Sequence, residues 1–179
     1  MNEPCNAKRS TLLLVDLQER LMPVIHEAES VVAHARVLID AARLLEIPII
    51  GTEQNPLSLG PSVSPLRELC DEMVTKIHFD ACTETPLLDH LDPQRDEVIV
   101  VGCEAHVCVL QTVFGLLRQN YRVRLVNDAI GSRDPLNKAA AIERARDAGA
   151  WPVTSEMVVF EWLRHCKHPK FREVLSLVK

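Results

Sequence analysis

The chain has 179 residues, of which 47% are hydrophobic and 25% charged, and its formal net charge is −5. This length and composition predict one globular domain over residues 1–179, with a loose tail at residues 1–10. The acidic balance argues against a nucleic-acid partner or an anionic membrane partner, and no apolar run is long enough to span a bilayer.

The cysteines and the N-terminus indicate the cellular compartment. The six cysteines have neither zinc-ribbon spacing nor the density of a disulfide scaffold. The first ten residues are polar and lack the apolar core of a secretion signal. Both features favour free thiols in the cytoplasm.

Short apolar runs alternate with amphipathic stretches from residue 11 onward. The run at residues 11–16 is apolar without polar alternation, as in a parallel sheet that is covered on both faces. A helix is predicted next, because apolar residues recur at helical spacing from Val31 to Leu45. Further strands are predicted at residues 48–52, 74–79, 97–102, 122–127 and 151–154.

The second half of the chain adds three predicted helices. One covers residues 109–118, and another begins with Asp134 as N-cap and Pro135 in the first turn and ends at Gly149. The last begins at residues 168–169 and has one apolar face. Strands alternating with helices predict an α/β fold: a three-layer α/β/α arrangement around a six-stranded, mostly parallel, Rossmann-like sheet.

Three chemically active side chains lie at or near the ends of predicted strands. Asp16 ends the first strand, Lys76 lies in the third, and Cys108 follows the fourth at the start of a helix. Ligand sites in such sheets lie outside the carboxyl ends of the strands, so we expect the three to converge. A thiol in the first turn of a helix is near the positive end of the helix dipole, which favours thiolate.

Each of these residues also has an ordinary structural interpretation. Asp16 could cap the turn that follows it, and Lys76 could hold its ammonium in water on an edge strand. Cys108 could be a small buried hydrophobic residue. The residues alone leave both interpretations open.

Three motifs in order decide between them. They are Leu14-Val-Asp-Leu-Gln18, Thr75-Lys-Ile-His-Phe-Asp-Ala81 and Gly102-Cys-Glu-Ala-His-Val-Cys-Val109. From about Thr11 to the C-terminal helix, the chain resembles the isochorismatase-like cysteine hydrolase superfamily. The segment Gly51-Thr-Glu-Gln-Asn-Pro56 is similar to the branch of isochorismatase-domain proteins whose substrates are mostly unassigned.

The resemblance implies roles for individual residues. Asp16 would be the general base and acid, Lys76 its electrostatic partner and Cys108 the nucleophile. The backbone N–H groups of Glu104 and Cys108 would form the oxyanion hole, with a cis peptide between Cys103 and Glu104. Members of the family are commonly homo-oligomers, and the C-terminal helix is a candidate docking surface.

The sequence departs from the nicotinamidases of this superfamily, which carry an Asp-Xaa-His metal motif after the second strand. Here that segment reads Thr52-Glu-Gln-Asn55, and Glu53 with His78 would make a poor zinc site. We therefore expect no catalytic metal. No glycine-rich phosphate motif is present, so we expect no nucleotide cofactor either. Candidate contacts for the substrate are Gln18, Gln54 and His106.

These features predict a metal-independent cysteine hydrolase that acts on a small amide or related C–N compound through a covalent intermediate. One alternative is a catalytically idle, oligomeric binding or scaffold protein. Another is a thiol redox protein that uses Cys108 with Cys103 as its resolving partner.

Overall fold

The computed structural model describes residues 3–83 and 86–179. The described strands are β1 (Ser10–Val15), β2 (Ile49–Gln54), β3 (Glu72–Lys76), β4 (Glu97–Cys103), β5 (Arg122–Gly131) and β6 (Trp151–Val153). They form one six-stranded sheet in the order β3-β2-β1-β4-β5-β6. Every pairing in it is parallel. The predicted Rossmann-like sheet is confirmed.

Helices cover both faces of this sheet. They are α1 (Ala28–Leu44), α2 (Pro56–Leu59), α3 (Leu87–His90), α4 (Leu110–Arg118), α5 (Pro135–Asp147), α6 (Ser155–Leu163) and α7 (Phe171–Leu175). Because side chains alternate along a strand, Leu12 and Leu14 of β1 pack toward α1, α6 and α7. Leu13 and Val15 pack on the opposite face, toward α4 and α5. The result is the predicted three-layer α/β/α arrangement.

Two strands end three or more residues away from their predicted ends. β3 ends at Lys76 rather than at residue 79, because its neighbour β2 ends at Gln54, the register partner of Lys76. β5 continues to Gly131, and its pairing with β4 shifts register between Val100 and Gly102. The ends of β3 and β5 depend on pairing with a neighbouring strand, and local sequence patterns carry no information about that pairing.

The expected loose tail is fastened to the domain over residues 3–9. The fully buried Cys5 donates its backbone N–H to Glu161 Oε2 at 2.6 Å. The Asn6 N–H donates to Glu97 Oε1 at 2.9 Å, and Arg9 Nε donates to Asp96 Oδ1 at 2.7 Å. The expectation is therefore wrong for this segment, while Met1 and Asn2 lie outside the described residues.

The C-terminal helix packs against its own chain. α7 begins at Phe171, and Val174 is fully buried in the core formed with α1. Phe171, Leu177 and Val178 are half-buried against the same core, so much of the apolar face expected to dock another subunit packs on its own chain. Among the described residues, no helix has the length and hydropathy needed to cross a membrane.

Candidate active site

The carboxyl ends of four adjacent strands bring together side chains from distant parts of the chain. Asp16 follows β1 directly, Gln54 ends β2, Lys76 ends β3, and Cys108 lies in the turn after β4. The strand order reverses between β1 and β4, which is where ligand sites form in open parallel sheets. The predicted convergence of Asp16, Lys76 and Cys108 therefore occurs at this edge.

Asp16 and Lys76 form a fully buried ion pair. Lys76 Nζ lies 2.6 Å from Asp16 Oδ2, and both side chains are 0% exposed. The ammonium also donates to Gln54 Oε1 at 2.8 Å and to the His78 carbonyl at 3.3 Å. Thr52 Oγ1 donates to the other carboxylate oxygen of Asp16 at 2.7 Å. Each buried charge thus has several partners, which lowers the cost of its burial.

Cys108 lies against this ion pair. The charges of both Asp16 and Lys76 act on its thiol, and its sulfur is 4.0 Å from Gln54 Oε1. Burial, and then the Asp16 charge, raise the pKa of the Cys108 thiol to about 12, although Lys76 acts in the opposite direction. The resting group is therefore a neutral thiol. Burial and the Asp16 charge therefore oppose the thiolate that the start of a helix favours, and Asp16 would have to take the thiol proton.

The turn that carries Cys108 is a single π-helical turn, Ala105–Val109. It is preceded by a cis peptide bond between Cys103 and Glu104, as the resemblance implies. The Glu104 carbonyl accepts the N–H groups of Val107 at 3.0 Å and Val109 at 3.2 Å, which flank the nucleophile candidate. The two expected oxyanion donors, the N–H groups of Glu104 and Cys108, belong to this one compact loop.

Gln18 was expected to contact the substrate, but the structure does not place its side chain for that role. Its side chain is fully buried, and Oε1 accepts the Gln54 N–H at 2.8 Å. Nε2 donates to the carbonyls of Gln54 at 3.0 Å and Gly60 at 2.7 Å. The Gln18 amide is therefore bonded to backbone groups and holds the Gln54 backbone in place, so it is not free to contact a substrate.

Gln54 lies beside Lys76 and Cys108, whereas His106 shares the turn Ala105–Val109 with Cys108. Gln54 Nε2 donates to the Ile77 carbonyl at 2.6 Å, which turns Oε1 toward Lys76 and Cys108. His106 is half-buried, and its Nδ1 is 3.0 Å from Ser132 Oγ.

Sequence reasoning missed Thr52 as a partner of Asp16. The usable signal was that β1 and β2 are neighbouring strands whose carboxyl ends share an edge.

One carboxylate oxygen of Glu53 is already bound within the protein. Its carboxylate accepts the Ser62 N–H at 2.7 Å and Arg67 Nε–H at 3.0 Å. Within residues 3–83 and 86–179, no group of three or more His, Cys, Asp or Glu side chains could hold a metal ion.

Cys103 and Cys108 are free thiols that lie on opposite faces of the sheet. Cys103 is packed in the core on the α1 side, whereas Cys108 belongs to the core on the α4 side. A disulfide between them would require one side chain to cross the sheet. The geometry therefore argues against Cys103 as a resolving thiol.

Comparison with known proteins assigns the family. The family model of the isochorismatase domain matches residues 10–157. The chain belongs to the isochorismatase family. The isochorismatase domain-containing protein 2 of Danio rerio is 38% identical to this isochorismatase-family chain, covering 97% of it and 88% of the relative. The corresponding protein 2A of Mus musculus is 36% identical over 95% of this chain and 82% of its own length.

A solved structure agrees with this assignment. The structure named MAR1 ribonuclease from Caenorhabditis elegans is 39% identical and has a TM-score of 0.93. The match covers 98% of this isochorismatase-family chain and 92% of the other. The hydrolase family and the three-layer fold are thus supported by sequence and by structure.

Proposed function

We propose that this isochorismatase-family chain is a cysteine hydrolase that cleaves a small amide or related C–N compound through an S-acyl intermediate. The observation that carries the proposal is the buried ion pair of Asp16 and Lys76, with the Cys108 thiol near enough for both charges to act on it. These groups supply a base, a fixed counter-charge and a nucleophile. The proposed steps use protein groups and water only, without a metal or cofactor.

In the first half-reaction, the Cys108 sulfur attacks the substrate carbonyl while the thiol proton passes to Asp16. Burial and the Asp16 charge raise the pKa of this thiol to about 12, so little free thiolate exists at neutral pH. Transfer of the proton during the attack therefore suits this thiol. The backbone N–H groups of Glu104 and Cys108 stabilise the oxyanion. The C–N bond then breaks, and the leaving amine takes the proton from Asp16.

In the second half-reaction, Asp16 removes a proton from water as the oxygen attacks the thioester. The C–S bond breaks, the carboxylic acid leaves, and the sulfur regains the proton from Asp16. Lys76 holds the carboxylate in place in both halves, with Gln54 Oε1 as a further acceptor on the ammonium. The cycle returns to the neutral thiol from which it began.

We also propose that the protein works as a homo-oligomer in the cytoplasm. Large apolar side chains remain exposed just beyond strand ends at the edge that carries the site. Leu57 is 94% exposed, Ile77 64% and Leu136 77%. Contact with another copy would remove this surface from water. Light scattering of the purified protein tests the assembly, and a monomer at all concentrations would refute it.

The function is tested by mass spectrometry of the intact protein. We expect a panel of small amides to include one that adds an acyl group to Cys108 and is turned over. Cys108→Ala should abolish both effects with an unchanged melting temperature, and Cys103→Ala should retain both. Retained turnover in Cys108→Ala would refute the mechanism.

Two further incubations separate the alternative functions. Dilute peroxide would produce a reversible loss of two protons in a thiol redox protein. A single-stranded RNA covers the activity for which the Caenorhabditis elegans relative is named, and we expect no more cleavage than with Cys108→Ala. A protein that responds to none of these probes would be the idle scaffold.

A further inference from the structure

The side chain of Glu104 joins the nucleophile loop to the end of β5. Glu104 Oε2 accepts both the backbone N–H of Arg133, at 3.1 Å, and its Nε–H, at 3.0 Å. The Glu104 side chain is 10% exposed and that of Arg133 is 62% exposed. One buried oxygen of the loop is thus bound twice by a single residue of the neighbouring segment.

Glu104 remains charged in this position. Burial raises the pKa of the Glu104 carboxyl, but the hydrogen bonds from Arg133 outweigh it and hold the pKa below its ordinary value. Hydrogen bonds between charged groups are about twice as strong as neutral ones. The attachment of Glu104 to Arg133 therefore persists at neutral pH.

Neighbouring residues reinforce the same attachment. Cys103 pairs with Gly131 in the last register position of β4 and β5. His106 Nδ1 is 3.0 Å from Ser132 Oγ. Residues 103–106 are thus held by residues 131–133 along their length, with Glu104 and Arg133 as the charged contact.

We propose that Arg133 is a positioning residue that acts through the Glu104 carboxylate to aim the Glu104 backbone N–H at the substrate oxyanion. This inference rests on the proposed function, since that N–H is the proposed oxyanion donor. Oxyanion donors must lie within a few tenths of an ångström of their working position, because stabilisation depends on prearranged geometry. A loop held at its side chain keeps its backbone N–H in that position.

A second ion pair provides a matched control. Arg118 Nη2 lies 2.6 Å from Asp80 Oδ2, with side-chain exposures of 65% and 11%. The two exposed fractions nearly equal those of Arg133 and Glu104. Arg118, however, belongs to α4 and contacts neither Glu104 nor the segment 131–133 in the described residues. Loss of either arginine should therefore have a similar effect on stability.

Two reactions of Cys108 separate oxyanion stabilisation from nucleophilicity. With p-nitrophenyl acetate, an S–C bond forms, the C–O bond breaks through a tetrahedral oxyanion, and nitrophenol leaves with the thiol proton relayed by Asp16. With iodoacetamide, an S–C bond forms as the C–I bond breaks, iodide leaves and the proton goes to solvent, with no oxyanion formed. Only the first reaction needs the Glu104 N–H.

We expect Arg133→Ala to slow nitrophenolate release about tenfold while alkylation of Cys108 stays within about twofold of the unmodified protein. The loss is smaller than the about 10²–10³-fold cost of deleting a donor, because the backbone N–H of Arg133 still binds Glu104. Arg133→Lys should restore part of the rate. Arg118→Ala should leave both reactions unchanged.

Parallel losses in both reactions, or no loss in either, would overturn the role of Arg133. Retained nitrophenolate release in Cys108→Ala, after correction for the other thiols, would instead refute the proposed function. Glu104→Gln keeps the shape and an acceptor oxygen but removes the charge, so it carries the same comparison if Arg133→Ala does not fold.

Discussion

Replacing Asp16 by Asn removes the charged partner of a buried ammonium and keeps the shape of the side chain. Lys76 would then lose its charged partner and keep neutral acceptors, among them the oxygens of Gln54 and His78, in a site where its side chain is 0% exposed. Removing one member of a buried ion pair costs about 3–5 kcal/mol. At about 2–4 °C per kcal/mol for a chain of this size, the melting temperature should fall by about 6–20 °C.

The same change should make Cys108 more reactive toward alkylation. Burial is the largest cause of the raised thiol pKa, and the Asp16 charge is the second, so its removal lowers the pKa from about 12. The attraction of Lys76 remains, and a Cys108 thiolate can replace the lost carboxylate as its partner. Amide hydrolysis should nevertheless fall about 10²–10⁴-fold, because the general base is gone.

Calorimetry and alkylation by iodoacetamide between pH 6 and 10 measure both effects, with the exposed Cys166 as a reference thiol in the same chain. Thr52→Val is the matched control, because it removes a hydrogen bond from Asp16 but keeps the charge. It should cost about 1–3 kcal/mol without faster alkylation. Slower alkylation of Asp16→Asn than of the unmodified protein at every pH would refute this electrostatic reasoning.

Three further predictions concern backbone space, alkaline stability and redox chemistry. Gly102→Ala should prevent folding or cost well over 3 kcal/mol in urea titrations, because a Cβ there meets the Val15 carbonyl at positive φ. Gly149→Ala, also at positive φ but in open space, should cost about 1 kcal/mol, and equal effects would contradict the steric argument. Burial raises the pKa of five thiols in the folded protein. As the pH rises, these thiols ionise first in the unfolded chain, so the free energy of unfolding should fall above about pH 9. The expected loss is about 1.4 kcal/mol per pH unit for each thiol. A urea midpoint that stays constant from pH 8 to 10.5 would be inconsistent with this linkage. Peroxide should produce no disulfide between Cys103 and Cys108, and peptide mapping that found one would reverse this conclusion.

The elements of the fold could be predicted because their signals are local. The apolar run of β1 and the helical spacing across α1 are properties of consecutive residues, and the structure confirms both elements. The candidates Asp16, Lys76 and Cys108 could also be predicted, because polar groups that follow buried parallel strands meet at one edge. Their chemistry required the resemblance carried by the three motifs.

The state and surroundings of these residues could be decided only by the tertiary structure. Lys76 and Asp16 are 60 positions apart, and Cys5 and Glu161 are 156 apart, so no local pattern reports either contact. The local signal at Cys108 favours thiolate, whereas burial beside Asp16 produces a neutral thiol. Gln18 and Gln54 are the same type of residue in the sequence. In the structure, however, Gln18 hydrogen-bonds to backbone groups, whereas Gln54 faces Cys108. Burial and electrostatic pairing depend on every neighbour in space, and the chain acquires those neighbours only when it folds.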